Sequence, residues 1–184
     1  FFIGEIFSYR LVWPGFVAAP AAGLLLLYLF GPRRAGLLVP VGNLLTIAAV
    51  CFLAELFNAW HLLWPGIVAA PAVGLLLLYI FGSRKPYLLV PIGILLSIAG
   101  ICSFAVLFNA WSLIWPGFIM APAVGMFLYY LAGSRNPALL VPIFILSGIS
   151  VTFFSIFCLG KILWALRYVI GGVLVVFGLM TILK

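Results

Sequence analysis

Apolar runs of roughly 20 residues, each closed by Pro, Gly, Arg or Trp, follow one another along the chain, and each is long enough to cross about 30 Å of hydrocarbon as a helix. They lie near residues 12–31, 36–59, 63–82, 87–110, 114–133, 138–159 and 162–183. This pattern predicts an all-α integral membrane protein of about seven transmembrane helices: three hairpins and a last single helix. A longer period runs through it. Trp13-Pro14-Gly15 returns as Trp64-Pro65-Gly66 and again as Trp115-Pro116-Gly117, a step of 51 residues each time. Every copy is followed by an apolar run, a basic turn and Leu-Leu-Val-Pro. A step that survives twice without slipping marks each copy as one structural unit stacked on the next. The units cover about 13–63, 64–114 and 115–163, with a partial one at 164–184, all within a single transmembrane domain spanning 1–184. Because each unit holds two spans, successive units keep one orientation, which makes them parallel repeats and not inverted ones.

Composition agrees with lipid as the solvent. The 184 residues are 68% hydrophobic and 6% charged, and the mean hydropathy is +1.44. So few charges cannot coat a water-soluble globule of this size. The net charge of +7 would suggest nucleic acid in a soluble protein. Here the basic residues sit in short turns between apolar runs, where they act as topogenic charges, so nucleic-acid binding is not expected.

Those charges set the orientation. The basic turns at 32–35, 83–86 and 134–136 lie on one side with Lys184, whereas Arg10, Lys161 and Arg167 share the other side with both acids, Glu5 and Glu55. The positive-inside tendency places the basic turns in the cytoplasm of a multi-pass cell-membrane protein. Trp13, Trp60, Trp64, Trp111, Trp115 and Trp164 then fall at the outer boundary, and Tyr28, Tyr79 and Tyr130 near the inner one. Both sets read as interfacial aromatic belts.

Residues 1–10 align with 52–61, the end of a repeat's second helix, and there is no initiator Met. The chain therefore reads as beginning part-way into a longer protein, at the outer end of a helix or an interfacial segment. A carboxylate at position 5 and the lack of a basic start argue against a signal peptide.

Small residues recur four apart in the first helix of each repeat: Gly15, Ala19 and Gly23; Gly66, Ala70 and Gly74; Gly117, Ala121 and Gly125. That spacing lays a smooth stripe on one helix face, which lets another backbone come close where lipid tails give no hydrophobic drive for association. The stripe is expected to be the contact between repeats. Pro14, Pro65 and Pro116 fall at the first helical turn, where a missing N–H costs little. Pro20, Pro71 and Pro122 lie six residues further in and must each remove an interior bond. Broken helices can free carbonyls for ion binding, but beside the small-residue stripe a bend is better read as fitting a neighbour. Pro40, Pro91 and Pro142 begin the second helices.

Candidate chemistry is sparse. One histidine, His61, and Cys51, Cys102 and Cys158, far apart in sequence, supply neither a recognisable metal set nor a redox pair. Cys51 and Cys102 share a repeat position and read as small apolar packing residues. Glu5 and Glu55 are expected to pair with Arg10, Lys161 or Arg167 at the outer boundary rather than to form a proton or cation site. The basic turns do not have the pattern of a phosphate-cradling loop. No catalytic, cofactor-binding or metal-binding residue is assigned, and enzyme activity is not expected. Asn58 and Asn109, in Phe-Asn-Ala-Trp, suit a helix end or a left-handed turn. Asn43 has no repeated counterpart and is expected to hydrogen-bond to a neighbouring helix.

Trp-Pro opening a Leu-rich span, a Gly-x-Arg turn and Leu-Leu-Val-Pro with a Gly-bearing helix, as in residues 82–100, resembles the short repeated spans of LiaF-like bacterial membrane proteins. The resemblance covers about 13–154, and the soluble region that often follows such helices is not present in this sequence. Such proteins are associated with cell-envelope stress regulation or with no known role, so the resemblance implies a link to the cell envelope and carries no catalytic residues. Two functional classes follow from the residues themselves. A non-catalytic scaffold or accessory subunit would pack laterally against other membrane chains, as a homo-oligomer or in a larger complex. A channel or transporter of small solutes or lipid would need a polar path that the spans scarcely provide. An apolar ligand bound between repeats would leave little trace in sequence.

Overall fold

The computed structural model describes the backbone at residues 2–32, 34–82 and 84–182, and side chains at 12–32, 34–82, 84–133, 135–164, 167–168 and 170–172. The protein is all-helical, at 89% helix, with no strand among the described residues. Among the described residues eight α-helices follow in order: α1 (Phe2–Phe30), α2 (Leu38–Leu56), α3 (Trp60–Leu63), α4 (Pro65–Phe81), α5 (Leu89–Leu107), α6 (Trp111–Ile114), α7 (Gly117–Tyr129) and α8 (Leu140–Ile182). Short 3-10 turns at Ala35–Leu37, Pro86–Leu88 and Pro137–Leu139 lead into α2, α5 and α8. Each of these long helices then begins Leu-Val-Pro, so Pro40, Pro91 and Pro142 sit in a first turn whose N–H groups have no intrahelical acceptor anyway.

The long helices pack in chain order: α1 on α2, α2 on α4, α4 on α5, α5 on α7 and α7 on α8. The result is a row rather than a closed ring, the quasi-one-dimensional arrangement in which each element relies on its neighbours. Its core is thin. Ala21, Ala48, Ala54, Ala70, Ala72, Ala99, Ala105, Ala121 and Ala123 supply most of the buried side chains, with Val41 and Ile92 the largest apolar ones fully enclosed.

Among the described residues, four helical segments are long and apolar enough to cross a membrane: Val12–Phe30, Ala35–Leu56, Pro86–Leu107 and Pro137–Trp164. Two more of the expected spans, Pro65–Phe81 and Gly117–Gly133, are shorter apolar helices. Proline explains their length. Pro65 has no N–H, so the hydrogen-bond ladder restarts there, although Trp64 keeps helical angles of φ −54° and ψ −30°. From Trp60 to Phe81 the helical path is about 33 Å long at 1.5 Å per residue. Trp115 (φ −52°, ψ −31°) and Pro116 (φ −64°, ψ −18°) join α6 to α7 in the same way. α1, by contrast, runs unbroken through Pro14, which lies inside the helix and not at its first turn as expected.

The sixth and seventh expected spans are one helix. α8 continues for 43 residues, about 65 Å, straight through the boundary expected at 159–162. The reason lies in the tryptophans. In the first two copies the reversal is flanked by stacked indoles, Trp13 on Trp60 and Trp64 on Trp111. In the third, Ile162 occupies the place of Trp60 and Trp111, and Trp115 packs instead on Phe153 and Phe157 of α8 itself, at 5.5 and 5.3 Å between ring centroids.

The two reversals that do form are alike in detail. Asn58 (φ 48°) and Asn109 (φ 47°) adopt the left-handed conformation expected of them. Ala59 N–H donates to Ala54 O and Ala110 N–H to Ala105 O, both at 3.0 Å, while Asn58 and Asn109 N–H donate to Glu55 O and Val106 O, both at 3.4 Å. These are the paired bonds of a Schellman helix end. Replacing Asn109 by Val is therefore expected to cost about 1–2 kcal/mol, the penalty of a left-handed β-branched residue. Asn109→Gly should be neutral or slightly stabilising. Thermal unfolding in detergent, followed by tryptophan fluorescence, would separate the two variants.

Candidate functional site

The small-residue stripes meet different fates along the row. α4 approaches α2 so closely that a Cβ built on Gly42 would lie 2.7 Å from Gly74 Cα, and one built on Gly74 would collide with the Val39 carbonyl. The same approach recurs between α5 and α7, where a Cβ on Gly93 would stand 2.7 Å from Gly125 Cα and one on Gly125 would stand 2.5 Å from Val90 O. Gly66 faces Val50, Gly117 faces Ile101, and Ala70 and Ala121 are buried. Six of the nine stripe residues thus line helix contacts with the preceding hairpin. Gly15, Ala19 and Gly23 do not. All three are exposed, and a Cβ on either glycine would meet nothing within 4 Å. The second helix of a preceding hairpin is what closes the other two stripes, and α1 has no such neighbour among the described residues.

Gly42 and Gly93 supply the opposite half of the close contact, a role not recognised in the sequence. Their signal was present as Val-Pro-x-Gly repeated 51 residues apart, with Phe144 breaking the series at the third copy.

At the end of the row where α1 and α3 meet, Trp13 and Trp60 stack with centroids 6.1 Å apart and an interplanar angle of 15°. Both indole N–H groups donate to Glu55 Oε1, at 3.3 and 3.2 Å. Two hydrogen bonds to one carboxylate oxygen offset much of the cost of holding a charge beside apolar helices. The sequence suggested basic partners for this carboxylate and did not foresee the indoles. Among the basic partners proposed, Lys161 and Arg167 are exposed on α8. The side chains of Glu5 and Arg10 lie outside the described residues.

The interior offers little else to a reaction. Ser150 is buried and donates to Pro116 O at 2.9 Å, tying α8 to the start of α7. Asn43 does not make the expected interhelical bond at Oδ1, which is buried without a partner among the described residues. Cys51 and Cys102 are buried, and Cys158 is exposed. No group of His, Cys, Asp or Glu among the described residues could hold a metal ion. The concavities are apolar grooves, such as the one of 430 Å³ between α1 and α2 lined by Pro14, Gly15, Ala18, Leu45, Ala48 and Phe52. Comparison of the chain with protein-family models, with curated proteins and with solved structures finds no match, and nothing there bears on the LiaF-like resemblance.

Proposed function

We propose that this chain is a non-catalytic integral membrane protein, a scaffold or accessory subunit that acts by packing laterally against other membrane chains. The observation that carries the reading is the backbone-close packing of the small-residue stripes, made twice within the molecule where Gly74 meets α2 and Gly125 meets α5. Gly15, Ala19 and Gly23 repeat a contact surface that is closed twice elsewhere in the same molecule by a helix at backbone distance. In lipid such a face associates through close van der Waals contact, because tails and leucines are equally apolar. The alternative, a channel or transporter, draws no support from the row of helices or from an interior built of Ala, Gly, Val and Ile. The LiaF-like resemblance adds a proposed place at the cell envelope. Mild extraction followed by native mass spectrometry tests the reading, with complexes of two or more chains as the expected result.

The orientation belongs to the same proposal: basic turns in the cytoplasm, tryptophans outside. Ser83→Cys and Ser112→Cys, each in a background with Cys51, Cys102 and Cys158 replaced by Ser or Ala, would report it. An impermeant thiol reagent applied to intact cells is expected to label position 112 and spare position 83. The reverse pattern would invert the topology.

A further inference from the structure

The second tryptophan pair repeats the first without its acceptor. Trp64 and Trp111 stack at 6.2 Å and 13°, against 6.1 Å and 15° for Trp13 and Trp60. Trp64 follows Trp13 by 51 residues and Trp111 follows Trp60 by the same step, but the residue at the place of Glu55 is Val106. The reversals that carry the two pairs match in left-handed angle and in backbone hydrogen bonds. Both indoles of the first pair donate to a single carboxylate oxygen. Neither indole N–H of the second pair has a protein acceptor among the described residues. Indole nitrogen can only donate, so the pair presents two N–H dipoles with no carboxylate between them.

We infer that Trp64 and Trp111 form a binding site for an oxyanion, a phosphate group that takes the place the Glu55 carboxylate holds in the first pair. Two donors meeting at one anionic oxygen, as those of Trp13 and Trp60 meet at Glu55 Oε1, make charge-assisted bonds stronger than those to a neutral acceptor such as water. Val106 adds no negative charge to oppose the ligand. Trp111 is 41% exposed, so the site opens to the surface. Two sources carry the same chemistry, a phospholipid headgroup at the membrane boundary and free phosphate. The site depends on the chain lying in a membrane only for the first of these, and not on how the chain associates.

Protein carrying ¹⁵N in its indoles, held in maltoside micelles, would be titrated separately with dihexanoyl phosphatidylglycerol, with inorganic phosphate and with dihexanoylglycerol. The indole N–H resonances of Trp64 and Trp111 should move together and saturate with a phosphate-bearing probe, while those of Trp13 and Trp60 stay in place. A response to the phospholipid alone assigns a headgroup, and a response to inorganic phosphate assigns the soluble ion. Val106→Glu, which supplies an internal acceptor, should raise the midpoint at least tenfold. Trp111→Phe, which keeps the stack and removes one donor, should raise it several-fold as read at Trp64. No movement with either phosphate probe would overturn the site. So would an equal response to dihexanoylglycerol, or an unchanged midpoint in both variants.

Discussion

Gly74→Leu and Gly125→Leu are expected to abolish the folded, monodisperse species in detergent, while Gly23→Leu, at the same position of the repeat, leaves it intact. At Gly74 even a methyl group would collide with the Val39 carbonyl, and at Gly125 it would stand 2.5 Å from Val90 O. Backbone cannot rotate aside as a flexible side chain can. Overpacking against side chains costs about 1–3 kcal/mol, and here two pairs of helices would have to separate instead. In a row each helix relies on its chain neighbours, so parting α2 from α4 divides the structure. Nothing lies within 4 Å of a Cβ at Gly23. Size-exclusion profiles of the three variants would make the comparison, with Leu77→Ala, beside Gly42, as a milder control. Wild-type profiles for both Gly74→Leu and Gly125→Leu would remove the close contact from the account of the fold.

The second large effect concerns association. Gly15→Leu combined with Gly23→Leu should leave the monomer folded and lower its recovery in complexes at least tenfold, because two bulky side chains would hold any incoming helix away from the α1 backbone. Cross-linking in native membranes before extraction would read this directly. Val141→Ala with Ile145→Ala, on an exposed face of α8, should have a smaller effect, since no stripe of small residues makes a close approach there. An equal yield of cross-linked species from the wild type and the Gly15/Gly23 variant would move the contact to another surface.

Much of the fold was legible because it is written in long apolar runs and in residues with a special backbone role. Asn58 and Asn109 stood where a left-handed residue was needed to end a helix, and both take that conformation. Leu-Leu-Val-Pro marked the helix starts at α2, α5 and α8 to within a residue or two. What failed did so where a local signal was overruled by a distant partner. Gly160 occupies the place of Asn58 and Asn109 and reads as a stronger helix end than either, yet α8 passes through it. The missing cue was Ile162, which cannot provide the indole stack that accompanies the other two reversals. Gly42 and Gly93 were lost among the many glycines of an apolar chain, because the need for a hydrogen at Cα exists only once α4 and α7 are in place. The indole donors of Glu55, on tryptophans 42 residues before and five residues after it, were missed as partners additional to the expected cation, and the Arg10 side chain lies outside the described residues. A charge rule does not register neutral donors.

The proposal that this protein acts through lateral contact is tested most directly by native mass spectrometry of the wild type after mild extraction, run beside a solute-flux assay on the same preparation in liposomes. The expected result is a defined complex containing two or more membrane chains, with no flux above that of empty liposomes. A strictly monomeric protein that carries a solute across the bilayer would contradict it and put the transporter in its place.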